Sequence, residues 1–162
     1  MPERLKGFII RPVKPSEINI VVMMEQLIFT DAWPRSAFLD YLDDDPDMGL
    51  LVAESGNAII GYACYIISYG EAQLSNVAVA PEYRGKSVAK LLINRILNMA
   101  KNANCEYIYL DVRQSNLSAI DLYRKLGFRE LYLRPGYYQT PVEDAIVMVK
   151  TLREEDFENG LV

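Results

Sequence analysis

The run from Leu74 to Leu92, LSNVAVAPEYRGKSVAKLL, constrains this chain more than any other stretch. An apolar strand pattern ends at Ala80-Pro81, a short polar loop carries Arg84, Gly85, Lys86 and Ser87, and an amphipathic helix follows at once. A helix that starts so soon after a strand demands a mixed α/β architecture. Its first N–H groups have no partners inside the helix, and its dipole favours negative charge there. A loop of small and basic residues in front of such a helix is an anion-binding device, so a phosphate-bearing ligand is expected.

The rest of the chain narrows the setting. Its 162 residues suffice for one domain with a real core, and a composition that is 51% hydrophobic excludes disorder. We read residues 1–152 as a single domain and 153–162 as an acidic tail. The net charge of −5 argues against nucleic acid. The acidic runs Asp43-Asp44-Asp45 and Glu154, Glu155, Asp156, Glu158 read as solvated surface, against which Arg84 and Lys86 stand out. The longest apolar stretch, Ala58 to Tyr69, is broken by Gly61 and too short to span a bilayer, so no membrane partner is expected. The opening MPERLKGFII lacks the apolar core of a signal peptide. The two cysteines, Cys64 and Cys105, have no metal or redox spacing, and a cytoplasmic location is the simplest context. Monomer and homodimer are equally compatible with the sequence.

Histidine is absent. That removes the commonest general base, the Ser-His and Cys-His nucleophile pairs and the usual zinc ligand sets, so no metal is expected. Catalysis must use carboxylates, tyrosines, lysines or backbone groups.

Along the chain, Gly7 to Val13 reads as a strand. Ser16 is the expected cap of a helix whose apolar face carries Ile20, Met23, Met24, Leu27 and Ile28. Trp33-Pro34 breaks it, and a second short helix runs through Phe38, Tyr41 and Leu42. Met48–Glu54 and Ala58–Tyr69 form a hairpin around Ser55-Gly56-Asn57, and Glu71 to Val79 is a further strand. The helix after the loop presents Val88, Leu92, Ile96 and Met99 on one stripe. Tyr107 to Val112 is a strand, and Ser115-Asn116 opens a helix that Gly127 closes. Phe128–Leu133 and Ala145–Leu152 are closing strands. The fold class is α+β, a mixed sheet with an antiparallel first half and flanking helices.

Two registers of the loop compete. A Walker A reading aligns Ala80 x-x-x-x Gly85-Lys86-Ser87, with Ile108-Tyr109-Leu110-Asp111 as a Walker B-like string. Ala80 replaces the glycine that permits the tight turn, Pro81 removes an N–H, and Glu82 would place a carboxylate in the phosphate cradle. The antiparallel strands before the loop also fit poorly with a parallel nucleotide-binding sheet.

In the other register, Arg84-x-x-Ser87-x-Ala89 resembles the Q/R-x-x-G-x-G/A pyrophosphate loop of the GNAT acyltransferase superfamily. Ser115-Asn116 with Ala119-Ile120-x-Leu122-Tyr123-x-x-Leu126-Gly127-Phe128 resembles a second signature of the same superfamily. Tyr137-Tyr138 and Glu143-Asp144-Ala145-Ile146 are similar to the closing segment of protein N-terminal acetyltransferases. The resemblance is greatest to the ribosomal-protein alanine N-acetyltransferases of the RimI type and their archaeal relatives, and it is most specific from Val77 to Ile146.

That resemblance implies the GNAT fold, acetyl-CoA as cosubstrate and a protein or peptide N-terminus as acceptor. It implies that main-chain groups of Val77, Ala78 and Val79 pair with the pantetheine arm and that one N–H polarises the thioester carbonyl. It assigns the pyrophosphate to Arg84, Gly85, Lys86, Ser87, Val88 and Ala89, with Ser87 standing where the family prefers glycine. Asn116 is a helix cap on its own chemistry and a contact to CoA by resemblance. Tyr123 is a core tyrosine by its spacing and the general acid to the departing thiolate by resemblance. Asp111 is either a strand-end ion pair, with Arg113 as the candidate partner, or the acceptor of the amine's proton, where the RimI type carries glutamate. Tyr137 and Tyr138, read as a loop between Pro135-Gly136 and Pro141, would line the peptide cleft, with Phe29 and Trp33 as the opposing wall.

The absence of histidine bears on the acceptor. An α-amine of pKa about 7.7–8.0 is neutral roughly a tenth of the time at pH 7, a lysine near 10.4 only about 0.04% of the time. A site with only a carboxylate or water relay therefore suits α-amines. Lysine or small-molecule acetylation, a non-catalytic CoA-binding module and a nucleotide-binding protein are the other readings.

Overall fold

The computed structural model describes residues 3–5, 7–42 and 45–153. Asp43, Asp44 and the acidic run from Glu154 onward lie outside the described residues. The chain clusters into two compact units, one formed by residues up to 66 together with 74–96, the other by 67–73 and residues from 97 onward.

In the first unit, β1 (Glu3–Leu5), β2 (Phe8–Pro12), β3 (Met48–Ser55), β4 (Ala58–Ser68) and β5 (Glu71–Val79) follow one another in sheet order. β1 to β4 pair antiparallel, and the β3–β4 hairpin closes with Ser55 opposite Ala58, as the Gly56-Asn57 turn leads one to expect. Three- to five-residue strands such as β1 and β2 pair only because a wider sheet supports them.

Helix α1 (Ile18–Ile28) begins after a 3-10 turn at Pro15–Glu17, and here the structure corrects the sequence. Ser16 does not cap it. Glu17 organises this end, its carboxylate accepting from the Lys14 N–H at 2.8 Å and pairing with Arg11 at 2.7 Å. The apolar face is also rotated from expectation. Ile20, Met23 and Leu27 are exposed, and the buried stripe is Ile18, Val21 and Glu25, flanked by the partly buried Val22, Met24 and Ile28. The apolar run from Ile18 to Met24, interrupted only by Asn19, gives no sharp helical period, so the sheet decides which face is covered. Helix α2 (Arg35–Leu39) follows Pro34, which presets the helical entry. Its Phe38 is fully buried against Tyr62, while Tyr41 and Leu42 pack on the same core from the turn beyond.

The strand–loop–helix element forms as expected. Helix α3 (Val88–Asn102) buries Val88, Leu92 and Ile96, each worth about 1.5–3 kcal/mol of hydrophobic stabilisation. Gly61 makes the contact possible: a Cβ there would lie 3.0 Å from the Ala78 carbonyl and 3.3 Å from Val88. A side chain at 61 would push β4 off the very strand that feeds the loop.

In the second unit, β6 (Tyr107–Arg113), β8 (Val142–Thr151) and β7 (Arg129–Gln139) lie in that order, all antiparallel. Helix α4 (Leu117–Lys125) is capped by Asn116, whose Oδ1 accepts from the Ala119 N–H at 3.2 Å. It ends in a Schellman arrangement: the Phe128 N–H reaches the Tyr123 carbonyl at 2.9 Å, the Gly127 N–H reaches Arg124, and Gly127 takes φ 95°. β7 corrects the sequence again. It is an eleven-residue strand that contains Pro135-Gly136 and both Tyr137 and Tyr138, which therefore do not lie on a loop. β7 is outermost in this unit's strand order, and its pairing shifts register between Arg134 and Tyr138. A strand that lacks a neighbour on one side and carries a bulge tolerates proline and glycine.

Candidate active site

Each unit carries part of the predicted site. In the first unit, β5 delivers Val77, Ala78 and Val79 to the loop, with Ala78 and Val79 side chains buried. Pro81–Tyr83 makes a 3-10 turn, and the Arg84 Nε donates to the Val79 carbonyl at 3.3 Å, tying the loop back to the strand that feeds it. Lys86 lies over the Tyr83 ring, 5.2 Å from its centroid. Gly85 and Ser87 both adopt left-handed backbone, φ 76° and 67°. Left-handed residues in a turn just before a helix start are a backbone pattern from which anion-binding nests are built. The conformation also explains the glycine preference at the Ser87 position: a Cβ there is strained, at a cost of about 1–3 kcal/mol.

The candidate acceptor wall is in the same unit. Trp33 stacks on Tyr41 at 5.9 Å and leans on Phe38 at 5.4 Å, and Phe29 is partly buried beside them. Beneath the wall lies a residue that the sequence reading did not single out. Glu25 is 1% exposed, and its carboxylate accepts from the Trp33 N–H at 3.3 Å, from Asn76 Nδ2 at 2.9 and 3.0 Å, and from the Tyr62 hydroxyl. Burial pushes its pKa above the usual carboxylate value, against the pull of those three donors. The signal was available: Glu25 occupies the i+7 position from Ile18 and i+4 from Val21, squarely on the core stripe of α1.

In the second unit, the structure brings together residues from three elements. Asp111, on β6, is partly buried, and Arg134 on β7 is its ion-pair partner at 3.4 Å. The ion-pair reading of Asp111 is thus met by Arg134, a partner from another strand. Burial raises the Asp111 pKa, with Arg134 opposing. Arg113, next on the same face of β6, pairs with Glu143 at 3.1 Å, donates to the Thr140 and Pro141 carbonyls, and lies over the Tyr138 ring at 4.2 Å. Glu143 in turn accepts from the Ser115 N–H at 2.8 Å, just before the Asn116 cap. One arginine–glutamate pair therefore fixes the β7–β8 turn and the start of α4 together.

Tyr137 and Tyr138 meet edge to face at 5.1 Å. The Tyr138 hydroxyl is pushed up to about 12, first by desolvation, then by the Asp111 charge, with Tyr137 and Tyr123 adding and Arg113 opposing. Tyr123 packs edge to face on Phe128 at 5.9 Å, and desolvation pushes its hydroxyl up to about 12. Asp111 and Tyr123 thus each act electrostatically on Tyr138, although 27 positions separate Asp111 from it.

Among the described residues there is no cluster of histidine, cysteine or acidic side chains able to hold a metal ion, and no helix long and apolar enough to cross a membrane. Both cysteines are buried and free.

Residues 19–128 match the model of the Acetyltransferase (GNAT) family, and the chain belongs to that family. It is 33% identical over 123 residues to the N-alpha-acetyltransferase RimI of Mycobacterium tuberculosis, covering 73% of this chain and 75% of that one. It is 30% identical to an N-alpha-acetyltransferase of Saccharolobus solfataricus, covering 94% and 99% of the two chains. Its fold superposes on the crystal structure of the ribosomal-protein-S18-alanine N-acetyltransferase from Escherichia coli with a TM-score of 0.82 at 24% identity, over 90% of this chain and 94% of that one.

Proposed function

We propose that this protein transfers the acetyl group of acetyl-CoA to the N-terminal α-amine of a protein, with a ribosomal protein as the expected kind of acceptor. The observation that carries the reading is Tyr138, on which Asp111 and Tyr123 both act, in a chain without histidine; we assign these three as substrate contact, base and acid. Relatives named as N-alpha-acetyltransferases support the acceptor class.

The reaction is direct attack of the neutral amine on the thioester carbon. The N–C bond forms, the C–S bond breaks, and CoA leaves as a thiolate. An N–H of Val77, Ala78 or Val79 stabilises the oxyanion, and the N–H groups of Gly85 to Ala89 bind the pyrophosphate, Arg84 adding charge. Asn116 contacts the CoA arm from the start of α4. Asp111, held ionised by Arg134, takes the amine's proton, through water where its short side chain does not reach.

Tyr123 donates to the thiolate. A free tyrosine near 10 and a thiol near 8.5 make that transfer mildly uphill, and desolvation of Tyr123 to about 12 makes it steeper in the empty protein. The thiolate enters the same apolar surroundings and is raised by the same desolvation, which narrows the gap at the moment of transfer. Phe29, Trp33, Tyr137 and Tyr138 bind the acceptor peptide. Mass spectrometry of peptides incubated with acetyl-CoA tests the proposal: acetyl on the α-amine supports it, and acetyl on lysine alone or on small amines alone overturns it.

A further inference from the structure

We infer that Glu25 is a positioning residue, one buried carboxylate that sets the Trp33 wall and the β5 donor strand against each other. The inference rests on the acceptor and oxyanion roles proposed above. Glu25 is the sole buried charged or polar residue among the described ones. Its partners come from three further segments: the main chain at Trp33 in the α1–α2 link, Tyr62 on β4, and Asn76 on β5. The recorded donors are all neutral, so nothing repays the burial of this carboxyl as an ion pair would, and an apolar residue would fill a core position more cheaply. What the carboxyl supplies is geometry.

The Trp33 N–H lies in the link between α1 and α2, where no helix supplies it an acceptor, and Glu25 Oε1 is its partner. Asn76 directly precedes Val77, so its side-chain amide, held by both carboxylate oxygens, fixes the strand one residue before the proposed oxyanion donors. Tyr62 closes the far side and packs edge to face on Phe38, on which Trp33 leans. Loss of the carboxyl would release the acceptor wall and loosen the donor strand in one event. The pyrophosphate loop, held by Arg84 on Val79, keeps its own support.

Trp33 is the one tryptophan of the chain, which gives a readout independent of activity. The experiment compares wild type, Glu25→Ala, Glu25→Gln and Asn76→Ala by steady-state kinetics with an acetylatable peptide and by acrylamide quenching of tryptophan emission. Wild-type turnover is established first; its absence would count against the proposed function and not against this inference, which the quenching arm still tests. In Glu25→Ala the peptide KM is expected to rise at least about tenfold and kcat to fall, with the acetyl-CoA KM within about threefold of wild type and Trp33 more readily quenched. Glu25→Gln keeps an acceptor for the Trp33 N–H, and Tyr62 and Asn76 can reorient to its amide, so quenching and both kinetic constants return to within about threefold of wild type. Asn76→Ala lowers kcat and leaves Trp33 quenching unchanged, and it stands in if Glu25→Ala fails to fold. Unchanged peptide KM and unchanged quenching in Glu25→Ala, or loss of thermal stability with wild-type kinetics below the melting temperature, would overturn the inference.

Discussion

Each unit of the molecule holds a carboxyl group raised by desolvation and a tyrosine beside it, and the two pairs do different work. Glu25 is sealed at 1% exposure among neutral donors, with Tyr62 bonded to it. Asp111 is only partly buried, has a cation 3.4 Å away in Arg134, and acts electrostatically on Tyr138, as Tyr123 also does. A carboxyl that water and substrate cannot reach can only hold geometry. One that keeps an edge open beside a cation can remain ionised and exchange a proton. The difference lies in access and in the charge of the neighbours, not in residue type.

The comparison is broken most forcefully at the two tyrosines. Tyr123→Phe removes the proposed acid and is expected to lower kcat by about 10²–10⁴-fold while acetyl-CoA affinity changes little, as stopped-time assays and calorimetry would report. Tyr62→Phe withdraws one donor from Glu25. It is expected to cost about 1–3 kcal/mol of stability by denaturant melts, with the pH profile of kcat unaltered. Equal kcat losses in the two variants would erase the distinction between the pairs.

Asp111→Asn sharpens it through pH. The proposed base would work ionised, and the Asp111 pKa lies above the usual aspartate value. With saturating acceptor, wild-type kcat therefore falls as pH drops through that raised pKa. The Asn variant is expected to be slower by about 10–100-fold at neutral pH and to lack this limb. A retained limb would assign the titration to another group.

Glu25 gives the opposite kind of pH signature, in stability. Its folded pKa is raised, so its protonated form favours the fold. That contribution is full below the unfolded-state value and is lost as pH rises through the folded pKa. Glu25→Gln has no such titration. Its melting temperature, relative to wild type, is expected to climb as pH is raised from about 4 to 7. A constant difference would mean that Glu25 titrates alike in the folded and unfolded chains.

The smallest effect concerns the loop. Ser87→Gly relieves the left-handed strain at φ 67° and is expected to add about 1 kcal/mol, a rise of about 3 °C in melting temperature, with acetyl-CoA binding equal or tighter. Destabilisation would show that the serine hydroxyl does more for the loop than its backbone strain costs.

How far the sequence revealed this organisation depends on the residue. The strand–loop–helix run was plain because an apolar strand, a cluster of small residues and an amphipathic helix each carry a local pattern. The Gly127 helix end and the Asn116 cap were plain for the same reason. Flanking proline and glycine make Tyr137 and Tyr138 read as loop, yet a bulged strand that is outermost among the described strands accepts both. The α1 face was misplaced because almost every residue from Ile18 to Met24 is apolar, which erases the period. Glu25 was passed over because a lone glutamate in a helix ordinarily faces water. The pairing of Asp111 with Arg134, 23 positions away, depends on the β6–β8–β7 order, which no local pattern encodes.

The proposed chemistry belongs to an α-amine served by the Asp111 carboxylate and the desolvated Tyr123 hydroxyl. The most direct test is one peptide that carries both a free N-terminus and an internal lysine, incubated with acetyl-CoA and sequenced by mass spectrometry. The account predicts acetylation of the α-amine with the lysine untouched, and loss of that product in Tyr123→Phe. Acetyl on the lysine with a free N-terminus would contradict it.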